Sequence, residues 1–253
     1  MTLYSGVWSP SIFLLMALSL PAFGEIPGPG KQVEQTFEME EEAQPISYLI
    51  YLPPAYLQDS SRKWPLLLFL HGRGESNGPL NLVTKWGPPR LIAEGQHFPY
   101  IVVSPQCPRT DSWDSDVQQN KLCKLLDFLE SKYPLDAERL YLTGLSMGGF
   151  GSWRLAADFP ERFAAMVPIC GGGRVQDAKH LAKLPIWVWH GDQDKSVGVE
   201  RSLEMVTAIR AVAGTRIKLT ILEEIGHNSW SAAYATPDLY RWLDQQRRLP
   251  PPN

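Results

Sequence analysis

One short segment carries the strongest chemical signal in the chain. It is Gly144-Leu-Ser146-Met-Gly148, preceded by the apolar run Leu140-Tyr-Leu-Thr143 and followed by Gly149-Phe-Gly-Ser-Trp-Arg-Leu-Ala-Ala-Asp158. The run before it reads as a strand and the segment after it as a helix. A turn that lifts a serine hydroxyl above a sheet must be sharp, and glycines two residues to either side remove Cβ atoms that would clash there. The helix start points free N–H groups and the positive end of its dipole at the serine. A developing oxyanion is stabilised in that position, with the backbone N–H of Met147 as the natural donor. Serine is a weak nucleophile at its free pKa, so the reading requires a base beside it. A glycine-rich turn holding an ordinary serine is the plain alternative.

Elements that position such a group are legible on both sides. Val33, Gln35, Phe37 and Met39 alternate with Glu34, Thr36, Glu38 and Glu40, the period of a half-exposed strand. The acidic run Glu40-Glu41-Glu42 reads as a solvated turn, and Ser47 to Leu52 as a second strand stopped by Pro53-Pro54. Trp64-Pro-Leu-Leu-Leu-Phe-Leu70 is continuously apolar, as expected of a strand covered on both faces. Tyr100 to Ser104, Ala164 to Ile169, Ile186 to Trp189 and Ile217 to Leu222 read as further strands. Leu122, Leu125, Leu126 and Leu129 keep helical spacing, as do Met205, Ala208, Ile209 and Val212, with Gly214 as the stop. Thr236-Pro237-Asp238 is a cap, a first-turn proline and a first-turn acid, opening a last helix to about Gln246 before a frayed Pro250-Pro-Pro-Asn253 tail. Alternation of strand and helix predicts a mostly parallel sheet of about eight strands with helices on both faces. Sites in such sheets gather at the carboxyl ends of the strands.

Composition sets limits. The chain has 253 residues, 44% hydrophobic and 20% charged, with a formal net charge of -3. That suffices for one large α/β domain, expected over residues 25–253, and supplies no basic face for nucleic acid. Ile12 to Leu20 is an apolar run followed by Pro21-Ala22-Phe23-Gly24, which predicts a signal peptide over residues 1–24 and a secreted or periplasmic protein with no stable membrane association after cleavage. Residues 1–10 lack Lys and Arg, which leaves open an uncleaved anchor or a different start. Three cysteines, Cys107, Cys123 and Cys170, are an odd count, and a Cys107–Cys123 bridge stays open beside three buried thiols. No Cys/His cluster has zinc-ligand spacing, so neither a metal nor an organic cofactor is expected.

Gly144-Leu-Ser-Met-Gly-Gly-Phe-Gly-Ser-Trp153 with Pro168-Ile-Cys-Gly-Gly-Gly173 resembles the exported esterases of the α/β-hydrolase superfamily known as predicted peptidases or phospholipase/carboxylesterases, close to the feruloyl-esterase and polyhydroxybutyrate-depolymerase group. The likeness runs from about Ile46 to Leu243. It implies the α/β-hydrolase fold, with triad members in the order Ser, acid, His. After Ser146 the histidines are His180, His190 and His227, and His227, in Glu224-Ile-Gly-His227-Asn-Ser-Trp230 past the last strand, is the expected base. Trp187-Val-Trp-His190-Gly-Asp192-Gln-Asp194-Lys-Ser-Val197 matches the superfamily's His-Gly-x-x-Asp-x-x-Val pattern. That pattern assigns the acid to Asp194, with Asp192 as rival and His190 structural. The resemblance also assigns the second oxyanion donor to the backbone N–H of Arg73 in His71-Gly72-Arg73-Gly74-Glu75, leaving His71 structural.

Trp113 and Trp230 fall on loops at the expected site, where they contact an apolar or aromatic acyl group or pack the loops. The connection Gly171 to Leu184 is short, so no large lid is expected. The implied activity is hydrolysis of carboxylic esters, short-chain or aryl/feruloyl in type, on a small-molecule or polymer-linked substrate. The same triad also serves a serine peptidase or an acyltransferase, and a hydrolase scaffold that only binds is the third reading.

Overall fold

Runs that are apolar throughout become interior strands, and the period-two segment becomes an edge. The computed structural model describes residues 28–39, 45–76 and 78–248. The expected signal peptide, the Glu40-Glu41-Glu42 turn and the Pro250–Asn253 tail lie outside the described residues. In chain order the strands are β1 (Gln32–Phe37), β2 (Ile46–Tyr51), β3 (Trp64–Leu70), β4 (Ile101–Pro105), β5 (Leu135–Leu145), β6 (Ala165–Ile169), β7 (Ile186–Gly191) and β8 (Ile217–Leu222). The helices are α1 (Gly87–Ala93), α2 (Asp116–Lys132), α3 (Met147–Asp158), α4 (Ala178–Leu181), α5 (Glu200–Ala211), α6 (Trp230–Ala235) and α7 (Pro237–Asp244).

The strands form one eight-stranded sheet in the order β1-β2-β4-β3-β5-β6-β7-β8. β2 runs antiparallel to β1 and β4, and every later pairing is parallel. This is the mostly parallel α/β-hydrolase sheet that the sequence predicts. β3 shows why its run has no polar residue. Leu66, Leu68 and Leu70 pack on the α2, α3 and α5 side, while Leu67 and Phe69 pack on the α1, α6 and α7 side. Each fully buried side chain of this size contributes about 1.5–3 kcal/mol to the fold.

Some local expectations change. α1 and α6 carry too few apolar residues at helical spacing to be read, although Pro88 and Pro89 suit the first turn of α1. α7 stops at Asp244, and the Thr236 hydroxyl donates back to the Ala232 carbonyl instead of capping it. At the end of α5 the left-handed residue is Ala213, at φ 62°, not Gly214. Gly214 is needed for space: a Cβ there would lie 2.4 Å from Ile209 Cγ2. Cys107, Cys123 and Cys170 are all free thiols, so no Cys107–Cys123 bridge forms in this structure. Among the described residues no helix is long and apolar enough to cross a membrane.

The β5–α3 junction fixes the centre of the molecule. Ser146 sits between them at φ 53° and ψ −117°, a region that L residues rarely occupy. Such a residue costs of order 1–3 kcal/mol and persists only where its surroundings hold it. The surroundings are backbone. A Cβ on Gly144 would lie 2.3 Å from the Gly148 carbonyl oxygen, and one on Gly148 only 1.9 Å from that of Leu70. Carbonyls in a sheet cannot swing aside as a flexible side chain can. Gly148→Ala is therefore expected to lower stability by at least about 3 kcal/mol, at the upper end for overpacking. Gly74→Ala, with nothing within 4 Å of its Cβ, should stay within about 0.5 kcal/mol. Urea midpoints of the two variants check this, and equal midpoints would contradict it.

Candidate active site

Four strand ends deliver the site. Ser146 follows β5, the loop beginning at His71 follows β3, Asp194 follows β7, and His227 lies past β8. Their approach depends on close backbone packing. A Cβ on Gly191 would sit 2.2 Å from the Ile225 carbonyl oxygen, so the end of β7 lies directly against the loop carrying His227. Asp192 N–H donates to the Leu222 carbonyl and Gln193 N–H to that of Ile225, which ties the two loops together.

The side chains meet in series. His227 Nε2 lies 2.9 Å from Ser146 Oγ, and His227 Nδ1 lies 2.7 Å from Asp194 Oδ2. A carboxylate only accepts, so Nδ1 carries the proton and Nε2 is left to accept from the serine hydroxyl. Asp194 Oδ1 also accepts from the backbone N–H groups of Ser196 and Val197, at 2.9 Å each. Burial pushes the Asp194 carboxyl up, but these bonds and the one from His227 outweigh it and hold the group below its ordinary value. Asp192 is exposed. Of the two carboxylates, Asp194 is thus the buried one, with three donors, one of them His227. His180 is exposed on α4. His190 is fully buried, with Nε2 2.9 Å from the Val197 carbonyl and 3.3 Å from Asp194 Oδ2, and Nδ1 2.7 Å from Ser202 Oγ. It supports the turn that holds the acid.

Met147 is the first residue of α3, and Arg73 is the first of a short 3-10 turn, Arg73–Glu75. First-turn N–H groups have no acceptor within their own helix, so both positions suit donors to an oxyanion. The Arg73 guanidinium donates to the Asp111 carbonyl at 2.5 Å and to that of Arg109 at 3.3 Å, which pins it to the rim of the site. An open cavity of about 350 Å³ lies over Ser146, lined by Arg73, Ser112, Asp114, Ser146, Met147 and Phe150. A smaller one of about 120 Å³ shares Asp114 and Phe150 and continues towards Arg154, Arg174 and Asp177.

Trp113 departs from the expected substrate contact. Its side chain is fully buried beneath the site, and its Nε1–H donates 3.0 Å to the His71 carbonyl. Trp230 is 8% exposed, and its ring meets that of His227 edge-on at 5.2 Å between centroids. Neither lines the cavities. The aromatic residue that does is Phe150, which the sequence reading passed over. Its position four residues past Ser146, on the same helix face, is the signal that finds it.

Cys170, Asp194 and His227 hold the one group of three possible metal-ligating atoms among the described residues, all within 4.8 Å of one another. Asp194 and His227 are already committed to each other. Burial pushes the Cys170 thiol up to about 12, so it is neutral. The arrangement fits proton transfer from Ser146 Oγ to His227 Nε2.

Comparison with known proteins finds esterases. A family model described as "Putative esterase" matches residues 40–219, more than two thirds of the chain. The crystal structure of a thermostable esterase superposes with a TM-score of 0.76 at 31% identity, covering 87% of this chain and 64% of that one. The bifunctional acetylxylan esterase/xylanase XynS20E of Neocallimastix patriciarum is 29% identical over 51% of this chain and 19% of its own length. A probable dipeptidyl-peptidase 5 of Aspergillus terreus is 29% identical over 53% of this chain and 19% of its own. The chain thus spans about a fifth of each of these two curated relatives.

His71 holds the β3 loop from below. Its Nε2 accepts from Cys107 N–H at 3.0 Å, so the proton sits on Nδ1, which donates to the Gly72 carbonyl at 2.6 Å. Both bonds require a neutral ring. Burial pushes its pKa down from 6.5 to about 4, against the opposing effect of the Gly72 carbonyl. The unfolded chain therefore takes up this proton first, and stability falls as pH drops from about 6.5 to about 4, by up to about 3 kcal/mol from this group. His71→Gln should be less stable than wild type at pH 7.5, and the gap should narrow towards pH 4. A gap that is constant in thermal melts across that range would show that His71 does not titrate this way.

Proposed function

We propose that this chain, which belongs to the esterase family whose model it matches, hydrolyses carboxylic esters through an acyl-enzyme on Ser146. The observation that carries the reading is the series Ser146 Oγ, His227 and Asp194, linked at 2.9 and 2.7 Å. As Ser146 Oγ bonds to the ester carbonyl carbon, its proton passes to His227 Nε2. The imidazolium is held by Asp194 through Nδ1–H. The carbonyl oxygen takes up the electron pair and is met by the N–H groups of Arg73 and Met147, each worth about 2.7–4 kcal/mol in the transition state. Collapse expels the alkoxide, which takes the proton from His227 and leaves as the alcohol. Water, deprotonated by the same nitrogen, then releases the acid and restores Ser146.

The cavity favours a particular ester class. It is open and presents a guanidinium, a carboxylate and a hydroxyl with one aromatic ring and one methionine. A long apolar chain finds no apolar tunnel there. We therefore assign to it a short or aryl acyl group on a polar, saccharide-like or polymer-linked alcohol, which agrees with an acetylxylan esterase among its relatives. Export with cleavage after Gly24 belongs to the same reading.

A second reading, a serine peptidase, draws on the dipeptidyl-peptidase similarity and the same three side chains. Acetyl and feruloyl aryl esters, acetylated xylo-oligosaccharides and dipeptidyl anilides separate the two. Ester turnover should exceed anilide turnover by at least about 10³-fold, and the reverse order would move the assignment to a peptidase. Ser146→Ala should lower kcat by at least about 10³-fold and abolish the phosphonate adduct seen by mass spectrometry. Asp194→Asn should cost about 10³–10⁴-fold in kcat, while Asp192→Asn stays within about threefold.

A further inference from the structure

The loop that carries Arg73 contains a second acid with no place in the reaction. Glu75 is 3% exposed, in a segment otherwise open to solvent at Arg73 and Gly74. Its nearest cation is Lys85, whose ammonium lies 4.0 Å away on a side chain that is mostly in water. A pair at that range and exposure does not repay the burial of a carboxylate. Yet the side chain does not turn outward. Its Oε2 points back at the loop, 3.2 Å from where a Cβ of Gly72 would stand. Burial pushes the carboxyl up, opposed by the Lys85 ammonium and by the backbone N–H groups of Gly72 and of Glu75 itself.

The backbone around Glu75 is pinned as well. Its N–H donates to the Gly72 carbonyl at 3.3 Å, and its own carbonyl accepts from Gln106 Nε2 at 2.9 Å. The turn is thus closed from Gly72 to Glu75, with Arg73 between them. The Gly72 carbonyl is held by His71 on one side, and the carboxylate faces the same residue on the other. Rotation of the peptide linking Gly72 and Arg73 would turn the Arg73 N–H, and both groups resist it.

We propose that Glu75 is a positioning residue: its buried carboxylate fixes the Gly72–Glu75 turn so that the Arg73 N–H is aimed at the oxyanion. It touches neither substrate nor Ser146. Because the oxyanion exists only after attack, the role concerns the transition state and not ground-state binding. The inference rests on the esterase reading above.

The test compares wild type, Glu75→Gln, Glu75→Ala and Ser146→Ala on a soluble aryl acetate. Active sites are counted by phosphonate titration, and affinity is measured for an aryl trifluoromethyl ketone, which forms a tetrahedral adduct on the serine. Glu75→Gln keeps the shape and an acceptor oxygen but loses the charge. It should lower kcat per titrated site about 10-fold, and Glu75→Ala up to about 100-fold, the lower end for a lost oxyanion donor. KM should stay within about threefold in both. Ketone affinity should fall by the same factor as kcat. If both variants keep wild-type kcat per titrated site and lose only melting temperature or titratable sites, Glu75 is structural and the proposal is overturned. A rise in KM with kcat unchanged overturns it too, since that places Glu75 in substrate binding. Where Glu75→Ala does not fold, Glu75→Gln alone decides. A wild type without ester turnover beyond Ser146→Ala overturns the esterase reading, and this inference with it.

Discussion

The approach of α3 to the sheet governs the whole arrangement. Gly148 lies so near the Leu70 carbonyl that no side-chain atom fits between them, and Gly149 stands similarly against the Ile169 carbonyl, 2.7 Å from its Cβ position. The first turn of α3 therefore sits on the carboxyl ends of β3 and β6 at backbone contact. Two consequences follow from one packing distance. Ser146 is forced into its positive-φ turn, which raises its hydroxyl over the sheet. The N–H groups of the first turn are brought beside the loop that leaves β3, so donors from two segments far apart in sequence converge. A wider spacing would relax the turn and separate the donors together.

The acid and base depend on a matching contact at the other side of the sheet. Gly191 lets the Ile225–Gly226 backbone pass over the end of β7, and the hydrogen bonds of Asp192 and Gln193 lock that passage. With both loops fixed by backbone, the Asp194–His227 distance is set before any side chain chooses a rotamer. Trp230 then closes the far edge of the imidazole, and Trp86 stands edge-on to Trp230 at 5.7 Å. The distances linking Ser146, His227 and Asp194 are thus inherited from sheet geometry, the condition under which a preorganised site loses little on reaction.

What the sequence discloses, and what it withholds, follows from how local each cause is. Ser146 is legible because the turn demands glycine at fixed spacing and a strand and helix to either side. β3 is legible because burial on both faces removes polar residues. That Asp194 and not Asp192 meets His227 is legible only through a family pattern: Asp192 stands two residues away with the same chemistry, and burial, a tertiary property, separates them. Trp113 misleads for the same reason. It lies beside the site along the chain, but its ring goes under the floor because Gly151, whose Cβ would lie 2.2 Å from Trp113 Cβ, lets α3 close over it. Phe150 is legible only by its spacing of four from Ser146, and Asp114 faces the cavity from a loop whose sequence shows no periodic or motif signal for it.

The ionisable groups near the site show how burial sorts charge. Burial acts in the same direction on Asp194 and Glu75, yet their pKa values move in opposite directions. Asp194 receives three short hydrogen bonds, one of them from the His227 imidazole. Glu75 has a distant ammonium and the N–H groups of its own turn. Three buried groups nearby are neutral: His71 is pushed down to about 4, and Cys170 and Cys107 are pushed up to about 12. Asp194 is therefore the buried negative charge closest to the His227 ring. A low-dielectric setting amplifies whatever charge is nearest. Keeping the thiols and His71 uncharged leaves that amplification to the pair His227 and Asp194, while in the proposed reaction the oxyanion is met by neutral N–H dipoles rather than by a second ion.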